Sequence, residues 1–243
     1  MHISACPTSD PRQNKLIAAL PAEAGLRWSS QLELVDLTRG QVLVEPGRTA
    51  EYVYFPTTAI VSLLYVTQDG ESSEIAVVGN DGVVGISLFM GGESSPNWSV
   101  VQSAGQCYRL RGQTVKDEVE RAGVVLMMLL RYTQAMMGQV AQTAACNRYQ
   151  SIDQLLCRRL LLSLDRLESD ALVMTQELLA NLLGVRREGV TAAALRLQQA
   201  GVISYSRGKI MVLDREELEN RTSESMTPER HAMRQKQLLK LAA

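Results

Sequence analysis

Three consecutive polar residues, Arg186, Arg187 and Glu188, begin a stretch with helical spacing and carry several hydrogen-bond donors and acceptors side by side. The residues expected to be buried further along this helix are Val190, Ala194, Leu195 and Leu197. A helix that is polar in its first turn and apolar further along suits a DNA-binding position, in which its N-terminal end enters the major groove while its apolar side packs on a small domain.

A second short helix is predicted immediately before this one. Thr175 occupies an N-cap position, and Gly184 provides a tight turn between the two helices. The apolar residues of the first helix recur at spacings of three and four, and they are Leu178, Leu179, Leu182 and Leu183. The pair is therefore predicted to be a helix-turn-helix. Any two packed helices share this pattern, so a helical hairpin with a solvated Arg-Arg-Glu end is the alternative interpretation.

The segment from Gly201 to Leu213 favours the helix-turn-helix. It contains two runs of β-branched and apolar residues separated by Arg207-Gly208, which predicts a hairpin of two short strands. A helix pair followed at once by a hairpin is the order of a winged helix. Arg207 and Lys209 then lie at the tip of the wing, where they are placed to contact phosphates.

The composition is that of a globular protein with apolar cores and little net charge. The chain has 243 residues, 46% of them hydrophobic, with 25 basic and 26 acidic residues. This length is enough for one large or two modest domains. Residues 40–105 contain one basic and seven acidic residues, whereas residues 174–215 contain six basic and three acidic ones. The excess positive charge therefore lies where the DNA-binding hypothesis requires it.

Membrane insertion, secretion and metal binding receive no support from the sequence. No apolar run reaches the roughly 18–20 residues of a membrane span, and the N-terminus lacks the pattern of a secretory signal. The four cysteines form no C-x-x-C pair and no metal-ligand spacing, and they are Cys6, Cys107, Cys146 and Cys157. We therefore expect free thiols, no metal site, no cofactor and a cytoplasmic location.

Residues from about 31 to 110 follow a strand pattern. Short β-branched and apolar runs alternate with turn residues at intervals near ten, which predicts an antiparallel jelly roll or sandwich. Glu71 and Glu74 lie beside a predicted hairpin turn, so both are expected to be solvated carboxylates. Four aromatic residues are interpreted as core residues, with the lining of an effector pocket as the alternative, and they are Tyr52, Tyr54, Phe55 and Trp98.

A long helix with two adjacent apolar seams is predicted from Val124. One seam consists of Val125, Leu129, Tyr132, Met136, Gln139, Thr143 and Cys146. The other consists of Leu126, Leu130, Thr133, Met137, Val140 and Ala144. We expect one seam to pack on the roll and the other on a partner helix, with a buried helix of a monomer as the alternative. Residues 147–149 are interpreted as a hinge before a helix from Ser151 to Leu167.

This order of a β-roll, a long helix, a second helix and a winged helix-turn-helix resembles the Crp/Fnr superfamily of bacterial transcription regulators. The resemblance extends over nearly all of residues 14–215 and is strongest at 175–177, 183–190, 197–203 and 207–210. It implies an α+β fold. The implied parts are a cyclic-nucleotide-binding-like β-roll sensor domain at 14–122, a dimerisation helix at 123–148, a winged helix-turn-helix DNA-binding domain at 149–215 and a polar tail at 216–243. Within the tail, Pro228 to Leu241 is predicted to be helical.

The resemblance also implies roles for individual residues. In the family the recognition helix begins with an Arg-Glu pair that contacts a guanine and a cytosine, and Arg187 and Glu188 occupy those positions here. The residues expected to face bases are Arg186, Arg187, Glu188 and Thr191. Those expected to contact phosphates are Thr175, Gln176, Arg207 and Lys209. The catabolite activator of this family has a further arginine where this chain has Ala192, so an identical operator is not expected.

The effector site of the catabolite activator corresponds to a glycine turn and a later segment of this chain. The implied pocket residues are Gly85, Ile86, Ser87, Ser95 and Asn97. Ile86 replaces the carboxylate that holds the ribose of cyclic AMP, and the arginine that holds the cyclic phosphate is absent near Ser95. We therefore expect an effector other than cyclic AMP, or none. Cys6 alone cannot ligate an iron–sulfur cluster.

These observations predict a regulator that binds a near-palindromic site on double-stranded DNA as a homodimer and, by family resemblance, contacts RNA polymerase. The alternative is a ligand-binding regulatory module that acts through protein contacts. An enzyme is not expected, because both histidines, His2 and His231, lie near the chain ends and no hydrolase or metalloprotease motif is present.

Overall fold

The computed structural model describes residues 10–92, 94–167 and 171–222. The described chain begins with a short 3-10 helix, Pro11–Gln13, which is followed by two α-helices, α1 (Lys15–Ala18) and α2 (Ala22–Ser29). Asn14 is fully buried and connects α1 to the rest of the fold. Its amide oxygen caps α1, and its amide nitrogen donates to the carbonyl oxygens of Pro56 and Gly82.

Seven strands build the predicted antiparallel roll. They are β1 (Glu33–Leu37), β2 (Val42–Val44), β3 (Tyr52–Pro56), β4 (Ile60–Val66), β5 (Ser72–Val78), β6 (Trp98–Ser103) and β7 (Gly105–Arg111). One sheet has the order β1-β7-β3 and the other the order β2-β6-β4-β5. Alternate residues of each strand point into the core between the sheets, as the period of two requires. Val53, Phe55 and Leu110 are among the fully buried ones.

Two helices follow the roll, α3 (Gly112–Glu120) and α4 (Val124–Tyr149). The first seam of α4 packs into the core of the roll through Leu129, Tyr132 and Met136. The Tyr132 hydroxyl donates to the carbonyl oxygen of Val83 at 3.0 Å. Leu130 and Met137 of the second seam are exposed. Thr133 of the second seam is buried and Val140 packs against the core of the roll, so only part of that seam is open to solvent within one chain.

The C-terminal domain is a winged helix with a core of its own. Its elements are α5 (Ile152–Leu164), β8 (Ala171–Val173), α6 (Gln176–Leu183), α7 (Arg187–Gln199), β9 (Ile203–Ser206), β10 (Lys209–Val212) and α8 (Arg215–Arg221). The strands form one antiparallel sheet in the order β8-β10-β9. Leu156, Leu179, Leu197 and Ile210 are fully buried at its centre.

Two helical details differ from the sequence-based expectations. Leu195 is exposed, because it lies two residues from the buried Leu197 and therefore points to nearly the opposite side of α7. Residues 147–149 are not a hinge, because α4 continues through them to Tyr149. The break comes at Ser151, whose side chain forms a capping box with Gln154 and starts α5.

Further differences concern strands, charges and the chain end. β8 was not predicted, because three residues are too few for a strand period to be recognised. Glu74 is buried rather than solvated. Residues 215–221, most of which fall within the predicted polar tail, form α8, and Leu218 packs into the C-terminal core. The helix predicted from Pro228 to Leu241 lies outside the described residues.

Candidate nucleic-acid interface

Local capping fixes both ends of α6. The Thr175 hydroxyl accepts a hydrogen bond from the backbone N–H of Leu178 at 3.1 Å. Gly184 ends the helix in the left-handed conformation, with φ of 64°. Glycine adopts this conformation without a steric penalty, and it reverses the chain towards α7. The sharp turn between the two helices is therefore determined by residues 175 and 184.

The first turn of α7 presents its charged residues to solvent. The side chain of Arg187 is 63% exposed, and Glu188 and Thr191 are also exposed. On the opposite side of the helix, Val190 and Leu197 are fully buried. The Arg187 guanidinium lies 4.0 Å from the carboxylate of Glu177, a distance that leaves the pair loosely associated. The arginine and the following glutamate are therefore available to a partner molecule.

A hydrogen bond joins α7 to the start of α6. The Thr191 hydroxyl lies 2.8 Å from the side-chain oxygen of Gln176 and 3.0 Å from the carbonyl oxygen of Arg187. When the Gln176 oxygen accepts from Thr191, its amide nitrogen is left to donate elsewhere. Thr191, which was expected to face a base, is thus engaged with a residue that was expected to contact a phosphate.

The wing is a tight hairpin fixed to the rest of the domain. Arg207 and Gly208 have φ of 49° and 78°, the combination that a two-residue hairpin turn requires. The Tyr205 hydroxyl donates to the carbonyl oxygen of Met174 at 2.8 Å, and the Gly208 carbonyl accepts from the Met174 N–H at the same distance. Burial raises the pKa of Tyr205, and the nearby Arg187 opposes this rise. The position of Arg207 is therefore set relative to α6.

An open groove of about 470 Å³ lies between the two helices and the wing. Four of the eight predicted DNA-contacting residues line it, namely Thr175, Gln176, Arg187 and Arg207. Lys209 follows the turn at the wing tip and is exposed. Arg186, directly before α7, is also exposed. The groove and the exposed helix start form one continuous polar surface with an excess of basic groups, which suits a phosphate backbone.

The residues of the predicted effector pocket lie at the end of the roll beside β3. Gly85 has φ of 99° and precedes a short 3-10 helix, Ile86–Leu88. An added Cβ at Gly85 would come within 3.2 Å of the Tyr52 carbonyl oxygen, so the positive φ and the close approach to β3 both favour glycine here. The Ser95 hydroxyl accepts from the Asn97 N–H at 3.1 Å. Contacts within the chain therefore explain the conformations of the segment that begins at Gly85 and of the segment that contains Ser95 and Asn97.

Two of the aromatic residues line a cleft outside the roll. Tyr52 and Tyr54 border a cleft of about 390 Å³, together with Arg48 and Arg109, and Tyr54 also packs against the core of the roll. The Arg109 guanidinium lies 4.4 Å from the centre of the Tyr52 ring and donates to the Glu33 carboxylate. Phe55 is in the core, as expected. None of the five predicted effector residues lines this cleft.

The two domains meet through buried charges that the sequence interpretation missed. Arg159 of α5 donates to the carboxylate of Glu74 on β5 and to the side-chain oxygen of Gln102 on β6. Arg159 and Glu74 are both almost completely buried. A signal was present in the sequence, because Arg158 and Arg159 interrupt the leucine-rich run of α5. Charged residues in such a run require partners when the helix is buried.

Neither a metal site nor a membrane span emerges from the described residues. Within the described ranges, no three His, Cys, Asp or Glu side chains lie close enough together to hold a metal ion. No helix among those residues combines the length and the apolar composition that crossing a membrane needs.

Two family models match the chain. Residues 34–122 match the cyclic nucleotide-binding domain, and residues 156–221 match the Crp-like helix-turn-helix domain. Together the two ranges cover more than half of the 243 residues. Comparison of the sequence with curated proteins finds no match.

Several solved structures share the fold at low sequence identity. A putative transcriptional regulator of the Crp/Fnr family from Eubacterium rectale has a TM-score of 0.68 and 17% identity, covering 86% of this chain and 98% of its own. FixK2 from Bradyrhizobium japonicum has a TM-score of 0.66 and 17% identity, covering 80% and 99%. The c-di-GMP-responsive regulator CLP from Xanthomonas campestris has a TM-score of 0.62 and 15% identity, covering 79% and 99%.

The β-roll, the long helix and the winged helix occur in the order of the two matched domains, and their fold is that of these regulators. The family consists of transcription regulators rather than enzymes. This chain belongs to the Crp/Fnr superfamily of transcription regulators.

Proposed function

We propose that this protein binds a specific, near-palindromic DNA site as a homodimer and regulates transcription from it. One observation carries the proposal. The exposed Arg187-Glu188 pair begins α7 beside an open groove and a basic wing, while the back of the same helix is buried. This geometry supports a recognition helix that enters the major groove with its first turn.

The side chains divide into two roles by their chemistry. Arg187 is assigned to a guanine, to which a guanidinium donates two hydrogen bonds, and Glu188 to the amino group of a cytosine. Arg186 and Thr191 border them and are assigned to neighbouring bases. The residues assigned to phosphates are Thr175, Gln176, Arg207 and Lys209, which supply hydroxyl, amide and cationic donors around the groove.

The exposed side of α4 supports a dimer. Met137 is 67% exposed and Leu130 is also exposed, although both belong to an apolar seam that continues along the helix. A second copy of the same helix would cover these residues in a coiled-coil-like contact. Two winged helices would then face successive major grooves about one helical turn apart.

The β-roll is assigned an effector other than cyclic AMP, or none. Residues 85–97 contain no Lys or Arg, so this segment offers no cation to a cyclic phosphate. Ile86 offers no carboxylate to a ribose. Contact with RNA polymerase and a cytoplasmic location are further parts of the proposal, and they rest on family membership.

The proposal is tested by selecting binding sites for the wild-type protein from random oligonucleotides and measuring gel shifts at fixed salt. Arg187→Ala should weaken the selected site by about 1–3 kcal/mol and leave binding to random DNA nearly unchanged, because only base contacts are lost. Arg48→Ala, a change of an exposed arginine on the β-roll, is the matched control. Equal losses on selected and random DNA would contradict the base-contacting role.

A further inference from the structure

The DNA-binding domain packs against the β-roll of its own chain through a small apolar cluster. Ile60 and Val77 of the roll contact Leu162 of α5. The turn after α6 also reaches the roll, because an added Cβ at Gly184 would lie 3.5 Å from the Cβ of Ser73. The recognition helix begins three residues after this contact. The apolar cluster and the turn therefore set where the recognition helix lies.

A buried ion pair lies beside this cluster. Arg159 donates to both Glu74 and Gln102, and the side chains of Arg159 and Glu74 are only 3% and 8% exposed. The Ser62 hydroxyl donates to the same oxygen of Gln102 at 3.2 Å, which fixes the amide of Gln102. Burial raises the pKa of Glu74, while the adjacent Arg159 opposes this rise. The pair joins α5 to two strands of the roll.

A second ion pair crosses the boundary close by. Arg166 lies 3.0 Å from the carboxylate of Asp81, and its guanidinium also donates to the carbonyl oxygen of Leu162. An added Cβ at Gly79 would come within 2.8 Å of the Arg166 side chain, so that stem packs directly on the backbone of the loop. The polar contacts of the boundary thus extend from Arg159 in the middle of α5 to Arg166, two residues beyond its end.

A buried ion pair has a particular consequence when only one partner is removed. The remaining charge is left without compensation in a site that excludes water, which is much less favourable than removing both charges. Here the remaining charge regains water if the two domains separate, since each partner belongs to a different domain. Loss of Glu74 alone therefore favours an open arrangement of the two domains.

We infer that Glu74 and Arg159 are positioning residues for DNA binding, which fix each winged helix at the spacing that a two-part site requires. The inference rests on the proposed function. The roll is packed on α4, the proposed dimer helix, so a domain fixed to the roll is also fixed relative to its partner. Half-sites one helical turn apart can be occupied together only when that separation is constant.

The closed arrangement, in which the winged-helix domain stays packed on the roll of its own chain, is measured without DNA by cross-linking. A Ser73→Cys, Gly184→Cys protein in a Cys6→Ser background places the two Cβ atoms about 3.5 Å apart, within the range of disulfide-bonded cysteines. A cysteine at 184 strains the left-handed turn, so every variant in this experiment is compared with the same cysteine pair in the presence of Glu74. Oxidised glutathione should join them rapidly when Glu74 is present and more slowly in Glu74→Gln. The same cysteine pair with Glu33→Gln is the control, because the Glu33–Arg109 pair lies within one sheet of the roll.

DNA affinity is then measured on the selected full site and on a single half-site. Glu74→Gln should lose about 10- to 100-fold on the full site, a usual size for coupling between sites, and should bind the half-site like wild type. Arg159→Gln alone should behave like Glu74→Gln. The double variant Glu74→Gln, Arg159→Gln should recover part of the loss, because it leaves no uncompensated charge. Disulfide formation in the cysteine-containing Glu74→Gln protein should also restore full-site binding.

The outcomes that would overturn the inference differ from the outcome that would contradict the proposed function. Unchanged cross-linking in Glu74→Gln, unchanged full-site affinity, or equal losses on the full site and the half-site would overturn the inference. A wild-type protein that selects no DNA sequence would instead contradict the proposed function. Circular dichroism of each variant confirms that the helices are retained, and the double variant keeps the test decisive if one single variant does not fold.

Discussion

Asp153 and Arg196 show how single residues connect α5 to α7, the proposed recognition helix. The Arg196 guanidinium donates from Nε to one carboxylate oxygen of Asp153 at 2.8 Å and from a terminal nitrogen to the other. This two-point geometry gives an ion pair its best orientation. The Arg196 hydrogen bond lowers the pKa of Asp153 below its usual value, and burial partly offsets that change.

Replacement of Asp153 by Asn should lower the free energy of unfolding by about 0.5–1 kcal/mol at neutral pH, because the pair is partly exposed and screened by solvent. A folded-state pKa that is depressed contributes stability above the unfolded pKa of about 3.9 and loses it as the pH falls through the folded value. The difference between wild type and variant should therefore be complete at pH 6 and shrink below about pH 4.

Urea unfolding across this pH range measures the effect. Asp153 also lies in the first turn of α5, where a negative charge interacts favourably with the helix. A double-mutant cycle with Arg196→Gln isolates the pair from that contribution. A difference that does not depend on pH, or a cycle without coupling, would contradict this assignment.

At the scale of elements, α4 has two sides with different surroundings. The side that contains Leu129, Tyr132 and Met136 is buried in the roll. On the other side, Leu130 and Met137 are open to solvent in a single chain, although Thr133 between them is buried. The seven-residue spacing of apolar residues predicted both seams, because such spacing is visible along the chain. Which seam faces the roll depends on the shape of the two sheets.

Met137→Glu should convert the proposed dimer to a monomer and abolish binding to the full site while a half-site is still bound weakly. A carboxylate at each copy of this position would be desolvated opposite an apolar or like-charged surface. Native mass spectrometry and gel shifts measure the two effects. Met90→Glu is the matched control, since Met90 is an exposed methionine of the β-roll. A dimer that persists in Met137→Glu would contradict the proposed seam.

At the scale of the whole molecule, the charge is divided between two regions. The β-roll region 40–105 is acidic, and the region 174–215 is basic, although the chain as a whole is nearly neutral. Association with DNA should therefore depend on a few cations at the winged helix rather than on overall charge. The structure places these cations around one groove and one hairpin tip.

Salt dependence counts the phosphate contacts that we propose for these cations. Arg207→Gln and Lys209→Gln should each reduce the slope of log Kobs against log salt concentration by about 0.9, because each variant neutralises one phosphate fewer. The loss should be similar on selected and random DNA. Arg48→Gln on the β-roll should leave the slope unchanged. A slope that is unaffected by either wing variant would assign the phosphate contacts to other residues.

The sequence alone determined those features that depend on neighbouring residues. Thr175 marks the start of α6 and Gly184 marks its end, and Arg207-Gly208 forms the wing turn. The strands of the roll follow from the alternation of apolar runs with turn residues. Caps, turns and short periods are local, so they can be recognised along the chain. The family resemblance rested on these same local features and on their order.

Only the tertiary structure decided which charged residues pair with each other between the roll and the winged-helix domain. Glu74 and Arg159 are 85 residues apart in the chain, and the sequence around Glu74 predicted a solvated turn. Whether a carboxylate is buried depends on which distant surface covers it, and a buried charge is retained only when a partner arrives with that surface. The winged-helix domain packs against β5 and supplies this partner, Arg159. The contact depends on how the two domains pack together and not on any local run of residues.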